Sequence, residues 1–200
     1  GWRLLTSGRE VVALRRDTSA LPAEFHRFAG DLGQPLPQEL PAADAMVITL
    51  TPSTGGAPDG YLKALRHLSA ALPSVPPRVI FVSSTGVFEG RYDGRPLTEA
   101  DIPAPATPRG TLLREGELLA TELFDALIIR PAGIYGPGRE MILRKVLERS
   151  PIRHTQRTNR IHEADLVRAL DRLLTVEHPP RVLHAVDRER AAGAELVGER

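Results

Sequence analysis

The sequence predicts an α/β fold, a doubly wound and mostly parallel sheet covered by helices on both faces. Two observations carry this. Five short segments read as strands, and most are continuous apolar runs rather than alternating ones, the pattern of strands buried on both sides. Between them lie longer segments whose apolar residues recur at helical spacing, and strands alternating with helices imply crossover connections.

The chain opens on Trp2-Arg3-Leu4-Leu5-Thr6-Ser7-Gly8, which reads as the tail of a helix closed by a glycine. The first strand is Val11–Arg15 (VVALR), and a weaker candidate follows at His26–Ala29. Ala45–Leu50 (AMVITL) is the next strand, and Asp59–Leu72 a helix with Tyr61, Leu65, Leu68 and Leu72 on one stripe. Arg78–Ser83 (RVIFVS) is the third clear strand. Arg109–Leu123 is helical through Leu112, Leu119 and Leu123, with Gly116 as a weak point. Ala126–Arg130 (ALIIR), a helix at Arg139–Arg149, a helix at Ala164–Val176 and the strand Val182–Val186 complete the series. A doubly wound sheet ordinarily starts with a central strand and a glycine-rich turn. No G-x-G-x-x-G occurs in the 200 residues. The expectation is therefore one doubly wound domain over residues 1–200, with its first strand and phosphate turn missing from the chain. All five clear runs are expected in one parallel sheet.

Composition narrows the partners. With 26 basic and 25 acidic residues, the net charge is +1. That speaks against a nucleic-acid binder, which needs a clustered basic excess. No apolar run approaches the length of a membrane span. There is no cysteine, which removes disulfide and thiolate chemistry, and a cytoplasmic protein is expected.

Chemistry concentrates at strand ends. In doubly wound sheets ligands sit outside the carboxyl ends of the strands. There the run Val79–Val82 stops at Ser83-Ser84-Thr85-Gly86, three hydroxyls and a glycine. The first strand ends in Arg15-Arg16, whose guanidinium forks suit a phosphate; two solvated arginines would look the same. The fourth strand ends in Pro131-Ala132-Gly133-Ile134-Tyr135-Gly136, a loop able to approach a ligand closely. Asn159-Arg160-Ile161-His162-Glu163-Ala164-Asp165 reads as a helix start, its polar side chains capping rather than binding metal.

Together VIFVSSTGVFEG, IIRPAGIYGPGR and NRIHEADLVRAL, in that order, resemble the NAD(P)-dependent epimerase/dehydratase branch of the short-chain dehydrogenase/reductase superfamily. The resemblance implies that residues 1–200 are a single Rossmann-like domain that binds NADP or NAD and a small-molecule substrate, with residues 131–200 contributing a small C-terminal substrate region. It implies that Arg15 and Arg16 flank the adenosine ribose, that Asp31 and Leu32 lie by the adenine, and that Thr51 and Pro52 line the cofactor. Ser83 or Ser84 would sit beside the reacting carbonyl or hydroxyl, and Pro131, Ala132, Gly133 and Ile134 beside the nicotinamide. It also implies a homodimer through Asp59–Leu72 and Arg109–Leu123.

The chain departs from the family in one respect. The usual chemistry needs a Tyr-x-x-x-Lys pair, in which the lysine lowers the tyrosine pKa. The three tyrosines, Tyr61, Tyr92 and Tyr135, are followed four residues later by Leu65, Pro96 and Arg139. Aligning on Gly110 and Glu117 puts Arg109 at the tyrosine place and Leu113 at the lysine place. Two functions follow as expectations. One is an atypical oxidoreductase or epimerase using Ser83, Ser84 or Tyr135 on a carbonyl, hydroxyl or sugar-nucleotide ligand. The other is a non-catalytic NADP-binding sensor or partner-binding module.

Overall fold

The protein's structure, a computed structural model, describes residues 1–52, 59–90, 95–137, 157–187 and 191–192. Four strands form its central sheet: β3 (Ala45–Ile48), β4 (Arg78–Val82), β5 (Leu127–Pro131) and β9 (Val182–Ala185), in that spatial order and all parallel. A second parallel pair joins β1 (Val12–Arg15) to β2 (His26–Ala29), Val12 opposite His26. The weaker strand candidate is thus a real strand.

The expectation of a single sheet is corrected here. VVALR and VIFVS lie in separate sheets, and among the described residues no strand carries the ladder from β1 to β3. Backbone pairing needs a neighbour about 4.8 Å away, and apolar runs alone do not say which edges meet. The two sheets nevertheless share a core, because Leu14 of β1 and Phe28 of β2 pack against the cluster containing Leu32, Leu40 and Ile48.

Helices cover both faces. Along β4 successive side chains point to opposite sides. Val79 and Phe81 join one cluster with Tyr61, Leu65 and Leu68 of α2 (Gly60–Ala70) and Leu119, Ala120 and Phe124 of α3 (Pro108–Phe124). Ile80 joins the opposite cluster with Leu127, Ile129, and Leu166 and Leu173 of α4 (Glu163–Thr175). β5 is buried at all five positions, which explains its unbroken apolar run up to Arg130. The short opening helix α1 (Trp2–Thr6) is tied to α4 by Arg3–Asp171 at 2.7 Å, and Gly8 leaves it at φ +78°. Its glycine stop therefore formed as the sequence suggests.

Two small pairs lie beyond the main sheet. β6 (Gly133–Tyr135) runs parallel to β8 (Arg160–His162), and β7 (Arg157–Thr158) antiparallel to β10 (Ala191–Ala192). α4 begins where the sequence places a capped helix start: His162 Nδ1 accepts from the Ala164 backbone N–H at 3.2 Å. The expected helix Arg139–Arg149 lies outside the described residues.

Gly116 is not a weak point. A Cβ there would lie 2.4 Å from Cε1 of Tyr61, so the missing side chain is what lets the Tyr61 ring pack against α3.

Candidate functional site

The hydroxyl turn sits at the carboxyl end of β4. The Ser83 backbone N–H donates to Ile129 at 2.8 Å, which extends the β4–β5 ladder by one residue. The same register carries Ser84 alongside Pro131, so the turn and the start of the Pro131–Ile134 segment share one sheet edge. Ser84 caps a 3₁₀ turn, Thr85–Phe88, its Oγ accepting from the Gly86 N–H at 3.1 Å. Ser83 is buried, 7% exposed, and its Oγ has no hydrogen-bond partner among the described residues. A buried hydroxyl without a partner costs about 1–3 kcal/mol, which is the mark of a group kept for something other than stability.

α3 crosses over this turn. Thr107 caps it, accepting from the Gly110 N–H at 3.0 Å and donating to Glu89 Oε2 at 2.9 Å. The other Glu89 oxygen accepts from Arg109 at 3.1 Å. A Cβ on Gly86 would lie 3.1 Å from Arg109 Nη1 and 3.3 Å from Glu89 Oε1. An ion pair therefore roofs the hydroxyl turn where Gly86 has no side chain. Arg109, at the tyrosine place, belongs to that roof. Leu113, at the lysine place, is buried with Val87 and Phe88 and offers no polar atom. Thr51 and Pro52, just beyond β3, line an open cleft of about 940 Å³ with Thr107, Arg109, Thr111 and Glu115.

Beneath the turn lies a buried charge network that the sequence reading missed. Arg130 of β5 is 2% exposed and Glu117 of α3 is 1% exposed. Two hydrogen bonds of 2.8 Å join them as a fork. Arg114 reaches the same carboxylate at 2.9 Å. Arg130 lies over the Phe88 ring, 5.3 Å from its centre, and within 3.4 Å of His184 Nε2. Burial pushes the His184 pKa down, the Glu99 carboxylate partly opposing it. Glu99 accepts the backbone N–H of His184 at 2.8 Å, and this bond holds its own carboxyl below the ordinary range. A signal existed: Glu117 is in helical phase with Leu113, Ala120 and Phe124, and Arg130 closes a run buried on both faces.

The other predicted residues spread along the strand ends. Arg15 and Arg16 are exposed at the end of β1. The Asp31 side chain is used locally, Oδ1 accepting from Gly33 N–H at 2.9 Å. Leu32 is buried in the core, and its carbonyl oxygen is 2.8 Å from His67 Nδ1. Pro131 and Ala132 are buried at the end of β5, while Gly133 and Ile134 lead into β6. Tyr135 is engaged by His162 and Asp187. Its ring packs edge-on to His162 at 5.1 Å, and its hydroxyl bonds to Asp187, which raises its pKa. That makes it a poor proton donor. Among the described residues, no cluster of three or more His, Asp or Glu could hold a metal ion, and no helix is long and apolar enough to cross a membrane.

No family model and no curated protein matches the chain. Solved structures do. A Methylobacillus flagellatus protein assigned to the NAD-dependent epimerases/dehydratases is 28% identical, with a TM-score of 0.77, over 98% of this chain and 74% of its own. MoeE5, in a complex with UDP-glucose and NAD, is 25% identical, with a TM-score of 0.75 and 98% and 74% coverage. TunA, an NAD-dependent NDP-hexosamine 5,6-dehydratase, shares the fold at 20% identity, with a TM-score of 0.78 and 98% and 73% coverage.

Proposed function

We propose, on the premise that this chain is a member of the epimerase/dehydratase-like branch of the short-chain dehydrogenase/reductase superfamily, that it binds a nicotinamide dinucleotide and a small carbonyl- or hydroxyl-bearing ligand of the sugar-nucleotide type. The observation that carries this is the buried Ser83 hydroxyl, without a partner among the described residues, in a turn whose Ser84 runs alongside Pro131 at the carboxyl edge of a parallel sheet. The residues present suit the two ends of such a cofactor. Arg15 and Arg16 are exposed where a ribose phosphate would lie, which favours NADP over NAD. Pro131, Ala132, Gly133 and Ile134, at the end of β5 and the start of β6, are the residues assigned to the nicotinamide end, and Thr51 and Pro52 line a cleft along α3. The bound nicotinamide would supply hydride transfer. The chain's own contribution is orientation: the Ser83 and Ser84 hydroxyls can donate to a ligand oxygen at the sheet edge.

Turnover of the usual kind is expected to be poor. A serine hydroxyl is a weak acid at neutral pH, and Arg109 stays ionised and gives up no proton. A positioned acid–base group contributes about 10²–10⁴-fold, and the chain has no Tyr-x-x-x-Lys pair to supply it. The burial of Leu113 at the lysine place favours the second reading, a binding or sensing module that uses the cofactor without rapid chemistry. Calorimetric titration of the full-length protein with NADP and NAD tests the cofactor, and a panel of sugar nucleotides with either cofactor tests turnover. Tighter NADP than NAD binding with slow turnover supports the reading. Absence of binding to both cofactors overturns it.

A further inference from the structure

Residues 95–107 run as a strap from β9 to the N-cap of α3. The far end is fixed to the residues that follow the hydroxyl turn. The Ala106 N–H donates to the Glu89 carbonyl at 2.9 Å, Thr107 donates to the Glu89 carboxylate, and the Ala106 methyl lies 2.3 Å from where a Cβ on Gly90 would stand. The near end is a turn closed on itself. Asp101 accepts from the Thr98 N–H at 2.7 Å and from the Thr98 hydroxyl at 3.1 Å, and it pairs with Arg95. This turn presents Glu99 to β9, the last strand of the central sheet. Leu97 packs on the cluster of Val87, Phe88 and Leu113.

His184 holds the near end. Its backbone N–H donates to Glu99 at 2.8 Å, and its ring bonds to the Leu97 backbone. The ring also meets Arg130, Nε2 to Nη1 at 3.4 Å, and stands edge-on to Phe88 at 5.6 Å. A guanidinium only donates, so Nε2 accepts and the docked ring is neutral. A proton on Nε2 would set donor against donor and cation against cation. Arg130 cannot yield: it is buried, and its fork is filled by Glu117, which Arg114 also grips. Burial holds the His184 pKa down, although the Glu99 charge favours the protonated ring. The acids of the turn do not titrate in the same range. The bond from the His184 N–H holds the Glu99 carboxyl below its ordinary range, and Arg95 holds that of Asp101 far below.

We propose that residues 95–101 are a pH-released clasp: neutral His184 docks them on β9, and a proton on its ring frees them, withdrawing Leu97 from Phe88 beside the hydroxyl turn. The docked ring binds a proton less readily than a solvated one, so acid favours the released form. Release begins as pH falls through about 6.5, the value of a free histidine. Each unit by which docking lowers that value shifts the balance by up to about tenfold.

The chain has no cysteine, so Ala100→Cys puts a single nitroxide label on the exposed part of the turn. Paramagnetic resonance of the full-length protein at about pH 7.5 and about pH 5 spans the histidine range. A docked turn gives a broad, slow spectrum and a released one a narrow, fast spectrum. The expected result is a mobile component that appears in acid while the far-UV circular dichroism stays unchanged. His184→Gln keeps a neutral donor and acceptor but takes up no proton, so its label should stay held at both pH values. Glu99→Ala should be mobile at both. A parent spectrum that does not change with pH, the same change in His184→Gln, or mobility that comes only with loss of the helical signal would overturn the proposal.

Discussion

Replacing Glu117 with glutamine removes a charge from a place where its partner has nowhere to go. Arg130 is 2% exposed and cannot turn toward water. It would keep at most one good bond to the amide oxygen, while the amide nitrogen would oppose a second guanidinium donor. Arg114, which shares the carboxylate at 2.9 Å, would lose its partner as well. Breaking one side of a buried pair costs about 3–5 kcal/mol, against a typical total stability of about 5–15 kcal/mol. With a urea m-value of about 2 kcal/mol/M, the unfolding midpoint should fall by about 1.5–2.5 M. The variant Glu117→Met with Arg130→Met removes both charges and should recover most of that loss, because the desolvation cost goes with them. Urea titrations followed by circular dichroism measure both. A midpoint shift under about 0.5 M for the single variant, or a double variant no more stable than the single one, would refute the reasoning.

Further outcomes follow from other parts of the structure. Gly116→Ala should destabilise by about 1–3 kcal/mol through overpacking, since the new Cβ would meet the Tyr61 ring at 2.4 Å; thermal melting reads this as a loss of several degrees. Tyr61→Phe should be neutral or stabilising by about 1 kcal/mol, because the Tyr61 hydroxyl is buried without a partner among the described residues. Its phenol pKa is raised by burial and by the Glu117 charge, so no ionised function is lost. Stability should fall on acidification: the folded His184 pKa lies below its ordinary 6.5, so the unfolded chain takes up its proton first. The loss begins as pH falls through about 6.5 and ends below the folded value, and His184→Gln should remove that part of the slope in pH-dependent urea titrations. The Arg15→Ala, Arg16→Ala double variant should weaken NADP more than NAD by about tenfold; unchanged NADP affinity in a calorimetric titration would remove these arginines from the site. A homodimer through α2 and α3 would appear in sedimentation as a concentration-dependent species, weakened by Leu118→Lys, since Leu118 is the exposed large apolar residue of α3.

By itself the sequence determined every strand of the central sheet and most of the helix stripes, because burial on both faces leaves an unbroken apolar run and burial on one leaves a periodic one. It also carried the hydroxyl turn and the His162 cap, which are local: Ser84 bonds two residues on, to Gly86, and His162 two residues on, to Ala164. Chain order and composition were enough for these. What only the tertiary structure decided are contacts between segments far apart in the chain. VVALR looks the same whichever strand edge it meets, so its pairing with His26–Ala29 rather than with the main sheet was not legible. Gly116 seemed a weakness until Tyr61, 55 positions earlier, was found against it. Arg109 seemed a lost tyrosine, yet Glu89, from 20 residues away, turns it into a held cation above the turn. Glu117 and Arg130, 13 residues apart on a helix and a strand, each look like an error in an apolar pattern. Together they are a satisfied pair, because a buried charge is tolerable only when the fold brings its partner to it.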